Sequence, residues 1–128
     1  KILNNRLKNK NITFLGVTFK PNTDDMREAS SIPMINYLNK KGSKIRYYDP
    51  SGRKKEFDQL KNVKFYSSIS SACIKSDLII IHTEWNAFKL LDFKRLVKKK
   101  NFKVFDMRNI YSQDKMRDLR IDYTSIGR

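Results

Sequence analysis

Short apolar runs punctuated by turn residues recur along the chain, and helical patterns fall between them. Ile12-Thr13-Phe14-Leu15-Gly16-Val17 is continuous and rich in β-branched residues, as expected of a strand buried on both faces. A polar loop from Lys20 to Ser31 leads into a helical stripe of Ile32, Ile35 and Leu38. Ser31 is placed to cap that helix, with Pro33 in its first turn and Gly42 just past its end. Lys44-Ile45-Arg46-Tyr47-Tyr48 reads as the next strand, stopped by Asp49-Pro50. A short helix over Arg53–Leu60, a strand over Val63–Tyr66 and a helical face of Ile69, Ala72 and Cys73 follow. Leu78-Ile79-Ile80-Ile81-His82 is the clearest buried strand. Asp92 caps a helix carrying Phe93, Leu96 and Val97, and Lys98-Lys99-Lys100 lie near its C-terminal dipole, where cations are favoured. Lys103–Asp106 is a further strand, Asp114–Leu119 a short helix and Ile121–Tyr123 a last extended piece.

Alternation of strand and helix requires parallel pairing through right-handed crossovers. The expected fold is therefore α/β, an open, mainly parallel sheet with helices on both faces. Residues 1–11 form a basic lead-in, read as the end of a linking segment, and 12–128 as one domain. A first residue of Lys1 rather than Met suggests a fragment or a processed product.

Composition narrows the function classes. The 128 residues include 28 Lys plus Arg against 13 Asp plus Glu, a formal charge of +15. That charge fits a basic module binding nucleic acid or a protein partner, and equally a lysine-rich solvated surface. A lone cysteine excludes an internal disulfide, and one Cys with one His cannot make a structural zinc site, so no metal is expected. The longest purely apolar stretch, Leu78–Ile81, is far short of the roughly 20 residues that span a bilayer. A cytoplasmic location with no membrane partner is the expectation.

In open parallel sheets, ligands bind outside the carboxyl ends of the strands, near the reversal of strand order. The first such loop lacks the dinucleotide fingerprint, since Gly16 is followed by Val17-Thr18-Phe19-Lys20-Pro21 without further glycines. Asp49 stands where a ribose-binding acid would sit, yet without those glycines it reads as a turn residue before Pro50. Lys20, between a buried strand and a proline, is held at the sheet edge, where a phosphate or a sugar hydroxyl could meet it. His82 reads as a satisfied edge residue, Trp85 as a packing anchor and Cys73 as inert core. Arg108 offers a planar fork to a carboxylate or phosphate.

The run Leu15-Gly16-Val17-Thr18-Phe19-Lys20-Pro21-Asn22-Thr23-Asp24-Asp25-Met26-Arg27-Glu28 resembles the hallmark segment of the UDP-glucose/GDP-mannose dehydrogenase family, at the start of its C-terminal domain. The resemblance continues in order through Tyr48-Asp49-Pro50, Thr83-Glu84-Trp85 with Phe88, Phe105-Asp106-Met107-Arg108-Asn109, and Tyr123 with Ile126-Gly127-Arg128. It implies enzymes that oxidise the C6 hydroxyl of a nucleotide sugar to a carboxylate in two NAD-dependent steps. In them an N-terminal Rossmann domain binds NAD and carries the nucleophilic cysteine. A long helix joins it to a Rossmann-like C-terminal domain that holds the nucleotide end of the substrate.

On that resemblance, residues 12–128 are the nucleotide-sugar (UDP)-binding C-terminal domain, and NAD is bound mainly by the N-terminal domain of the same enzyme, a homodimer. Phe19 and Lys20 resemble the pair touching the nucleotide sugar, Arg27 the arginine reaching NAD, and Arg108 the arginine of the Asp-x-Arg segment. Asn109 replaces a second basic residue of some members, which leaves its role open. Cys73 matches no part of the cysteine motif, so the chain holds no catalytic residue and is expected to be inactive alone. The Asn22–Met26 run and Thr83-Glu84-Trp85 are more similar to the UDP-glucose branch, implying conversion of UDP-glucose to UDP-glucuronate. The alternatives are a GDP-mannose or UDP-N-acetylhexosamine 6-dehydrogenase domain, and a non-enzymatic basic module binding nucleic acid.

Overall fold

In the computed structural model, which describes residues 6–127, the apolar runs form six strands. These are β1 (Asn11–Leu15), β2 (Lys44–Tyr48), β3 (Val63–Phe65), β4 (Leu78–Ile81), β5 (Lys103–Asp106) and β6 (Asp122–Ser125). The helices are α1 (Ser31–Lys40), α2 (Ile69–Cys73), α3 (Phe93–Val97) and α4 (Gln113–Asp118). The sheet is open and wholly parallel, in the order β3-β2-β1-β4-β5-β6. That is the doubly wound order, with its reversal between β1 and β4. Leu15 pairs with both Tyr48 and Ile81, and Ile81 with Asp106, so the loops leaving β1, β2, β4 and β5 emerge along one edge.

Period-two alternation divides the strands between two cores. Ile12 and Phe14 of β1, with Leu78 and Ile80 of β4, pack under Ile35 of α1 and Phe57. Leu15, Ile79 and Ile81 face the other way, against Cys73, Phe93, Val97 and Met116 from α2, α3 and α4. Burial pushes the Cys73 thiol up to about 12, which suits an inert core residue.

Several boundaries differ from the sequence reading for local physical reasons. β1 stops at Leu15 because Gly16 turns to φ +81°, and the Val17 N–H then donates to Asp49 rather than to a neighbouring strand (2.8 Å). Ser31 does not cap α1: its hydroxyl donates to the Val17 carbonyl (2.6 Å), and Ser30 occupies the cap position without a side-chain cap bond. The helix expected over Arg53–Leu60 is only a 3-10 turn, Lys55–Phe57, which buries Phe57 alone. β4 ends before His82, α4 begins at Gln113 under a Ser112 cap, and β6 runs on to Ser125.

Of the segment read as a linker, residues 1–5 lie outside those described. Residues 6–10 carry no helix, and Asn9 N–H donates to Gly42 O (2.9 Å). Among the described residues, no helix is long and apolar enough to cross a membrane, and no group of three or more His, Cys, Asp or Glu is arranged to hold a metal.

Gly16 combines two demands that can be separated experimentally. A Cβ there would fall 2.6 Å from Thr83 Cβ, at a φ that L residues rarely adopt. Gly52 has a comparable φ of +98° but nothing within 4 Å. Gly16→Ala should therefore cost about 2–4 kcal/mol in urea unfolding, the conformational penalty plus overpacking. Gly52→Ala should show only the first part, about 1 kcal/mol. Equal losses would show that contact with Thr83 is unimportant.

Candidate ligand-binding site at the carboxyl edge

The loop after β1 folds back on itself. The Thr18 hydroxyl donates to Lys20 O (2.9 Å), and Phe19 N–H donates to Asp25 O (3.1 Å), closing a ring of backbone over residues 19–25. Phe19 is left 44% exposed and Lys20 exposed, side by side on the rim. Arg27 grips Asp25 through Nε (3.1 Å) and Nη2 (3.0 Å), with its own side chain 89% exposed. That fork and the Arg27 N–H hold the Asp25 carboxyl below its usual range, with a small further pull from Lys20.

The loop after β4 is tied to the first one by buried polar groups. Thr83 Oγ1 donates to Thr18 O (2.9 Å), so its remaining contact, with His82 Nδ1 (3.0 Å), must be one in which the imidazole donates. His82 Nε2 then carries no proton and accepts from the Ser30 hydroxyl (2.9 Å). Burial first, and the Arg108 guanidinium second, push the His82 pKa down to about 4. Its expected status as a satisfied edge residue holds: both ring nitrogens are bonded, and the ring is wholly buried.

Arg108 joins three loops. Its Nε donates to His82 O (2.8 Å) and its Nη2 to Phe19 O (3.4 Å), while Glu84 Oε1 lies 3.8 Å from Nε. Two of the guanidinium's five N–H groups are thus engaged with backbone. Arg108 itself is aimed by Asp106, whose buried carboxylate accepts from Arg108 N (3.0 Å), Ile110 N (2.9 Å), Tyr111 N (3.0 Å) and Tyr123 OH (2.7 Å). Asp49 does the same for the loop after β2, accepting from Val17 N, Ser51 N and Ser51 Oγ, so it is the turn residue expected and also a clamp on β1.

The structure therefore brings Phe19, Lys20 and Arg108 to one rim and sets Arg27 beside them across Asp25. Asn109 turns away: at φ 56°, its Nδ2 donates to Ile126 O (2.9 Å), a structural tie. Trp85 packs on the second core as an anchor, with Nε1 buried and unbonded among the described groups. Sequence reasoning missed Glu84 as the Arg108 partner and Asp106 as the organiser of its loop. The alternation of Asp with following turn residues at two strand ends was the available signal.

An open, doubly wound parallel sheet with Lys20 and Arg108 gathered beyond its carboxyl edge, near the strand-order reversal, has the Rossmann-like architecture. Residues 13–113 match the UDP binding domain of the UDP-glucose/GDP-mannose dehydrogenase family, and the chain belongs to that family. Among its relatives is a UDP-glucose 6-dehydrogenase of Rhizobium meliloti (strain 1021), 37% identical over 125 residues, covering 95% of this chain and 28% of that protein. Another, of Bacillus subtilis (strain 168), is 38% identical over 125 residues, covering 93% of this chain and 28% of that protein. The chain thus spans under a third of the length of these relatives. A UDP-glucose dehydrogenase from Pyrobaculum islandicum superposes with a TM-score of 0.70 at 25% identity, over 91% of this chain and 25% of that one. An NDP-N-acetyl-D-galactosaminuronic acid dehydrogenase from Methanosarcina mazei Go1 shares the fold at a TM-score of 0.82 and 22% identity, over 98% of this chain and 26% of that one.

The buried neutral His82 makes stability depend on pH. The imidazole titrates near 6.5 when exposed and near 4 in the fold, so the unfolded chain binds the proton more readily. The contribution is full above pH 6.5 and is lost as pH falls towards 4, a total on the order of 3 kcal/mol. Urea unfolding between pH 7 and 4.5 should show this decline, and His82→Gln should flatten it. An unchanged slope in the variant would assign the decline to other groups.

Proposed function

We propose that residues 12–128 hold the nucleotide end of UDP-glucose, as the substrate-binding domain of an NAD-dependent UDP-glucose 6-dehydrogenase. The observation that carries this reading is the Arg108 bond to Phe19 O, which sets the Phe19–Lys20 pair and a guanidinium on one rim. A sugar diphosphate needs compensation of its phosphate charge without sealing off the sugar. Lys20 supplies a compact, mobile charge, and the spare N–H groups of Arg108 supply directed donors. Phe19, half exposed, gives an apolar face against which a ring can pack.

The chain's own first strand-to-helix turn does not fit a dinucleotide. The space a close-approaching pyrophosphate would need beside Gly16 is filled by Thr83, and α1 starts only after the long 17–30 loop. NAD accordingly belongs to a separate domain of the same enzyme, with Arg27 at the rim extending towards it. No residue of this chain is given a catalytic role, and Cys73, buried at the end of α2, stays outside the chemistry. The chain alone is inactive in this reading. Residues 1–11 end the segment joining it to the NAD domain, and the complete enzyme is a cytoplasmic homodimer.

The test is made in the complete enzyme carrying this domain. Lys20→Ala should lower kcat/KM for UDP-glucose at least about tenfold, which corresponds to about 1.4 kcal/mol of transition-state stabilisation. Thermal-shift titration of the chain should show stabilisation by UDP and UDP-glucose in preference to GDP. Unchanged efficiency in the variant removes Lys20 from the site, and a preference for GDP transfers the domain to the GDP-mannose branch.

A further inference from the structure

The opposite, amino edge of the sheet holds a feature that this reading does not use. A concavity of about 670 Å³ opens there, walled by the chain entering β1, the turn before β4, α3 with its following loop, and the turn before β6. Six cations line it: Lys10, Lys94, Lys99, Lys100, Lys103 and Arg120. Two acids share the wall, and each is matched to one cation: Asp77 pairs with Lys99, and Asp122 with Lys103 (2.7 Å). Lys94, Lys100 and Arg120 have no ion pair among the described residues, and Lys10 has only a longer-range attraction to Asp77.

Surface lysines in general spread apart, because like charges repel and solvate best separately. Here three segments, around Lys10, from Lys94 to Lys103 and at Arg120, bring theirs to one cavity, so the wall carries a surplus of four positive charges, six cations less two acids. The surplus is also held at some conformational cost. Arg120 lies in the wall at φ 58°, and Lys98, which leads into Lys99 and Lys100, turns at φ 52°. Glycine or asparagine meets such turns with less strain. Phe102 and Ile121 add an apolar floor between the cations.

We propose that this pocket binds a small anion carrying two or more linked phosphates, at a site separate from the carboxyl-edge rim. A single carboxylate or phosphate would meet at most one or two of the unpaired cations at a time. A chain of phosphates spans several of them together. A walled cavity favours a compact ligand over an extended nucleic-acid backbone, which needs an open track of cations. Free polyphosphate and the phosphate tail of a nucleotide share this chemistry.

Calorimetric titration of the full chain with inorganic tripolyphosphate and with a nucleoside triphosphate tests the site. One saturable site is expected for tripolyphosphate. Equal affinity for the nucleotide means that the phosphates alone are recognised, and tighter binding means that the Phe102 floor also receives the base. A triple variant Lys94→Glu, Lys100→Glu, Arg120→Glu should weaken tripolyphosphate by about tenfold or more. The charge-matched control Lys40→Glu, Lys55→Glu, Lys61→Glu, on the other half of the sheet, should weaken it no more than about threefold. All six positions are exposed, so both variants should keep the fold. Absence of a saturable site, or equal weakening in the two variants, overturns the proposal in favour of diffuse attraction to a highly charged surface.

Discussion

Where β1 and β4 lie side by side, their following loops separate, and the backbone groups this exposes must find partners without water. Thr83 meets that requirement with one hydroxyl. It donates to Thr18 O and accepts from His82 Nδ1, whose other nitrogen accepts from Ser30 at the start of α1. The His82 carbonyl accepts in turn from Arg108, which also reaches Phe19 O. Partners up to 89 residues apart are thereby fixed to one another at the reversal of strand order. The position of Lys20 follows from this seam, because the carbonyls on either side of Phe19 N–H are held at Thr18 and Phe19. A neutral imidazole is what the seam needs, and burial beside a guanidinium keeps it neutral.

The same edge shows how a chain of charge +15 uses its few acids. Asp49 and Asp106, both buried at strand ends, accept backbone N–H groups and hydroxyls instead of pairing with lysines. A carboxylate bonded in this way shapes a loop instead of forming an ion pair with a neighbouring lysine. Lys20 stands exposed at the carboxyl edge, with no ion pair among the described residues. At the amino edge the acids behave differently: Asp77 and Asp122 do pair, but with only two of the six cations there. The two edges thus present positive charge by different routes, one through side chains aimed by buried carboxylates, the other through numerical excess.

Much of the fold was legible in the sequence because its stop signals are local. β2 and β5 fall where Asp49-Pro50 and Asp106 end their apolar runs, and Asp92 caps α3 as its position implied. The errors arise where a distant partner outweighs local preference. Val17 looks like strand, but its N–H belongs to Asp49, 32 residues away. Ser31 looks like a cap, but its hydroxyl is drawn to Val17 O. Arg53–Leu60 has the composition of a helix, yet Tyr47 OH accepts the Lys54 N–H and leaves room for one 3-10 turn. For the rim, the spelling of the first loop pointed to Phe19, Lys20 and Arg27, whereas the Glu84–Arg108 contact and the bracing by Asp106 exist only once three loops meet.

Gly16 shows why a shared strand order does not fix how a ligand is held. In dinucleotide-binding turns, a glycine at this place lets the backbone approach a pyrophosphate. Here the room a side chain would take is filled by Thr83, so the glycine serves the packing of two loops instead. With backbone approach closed off, the proposed recognition at this edge rests on side chains that come from different loops: Phe19 and Lys20 from one, Arg108 from another. Such a site is specific only as far as the loops keep their relative positions. The seam of buried Thr83 and His82 with Ser30 is thus a condition for the shape of this edge, even though none of the three is placed on the rim.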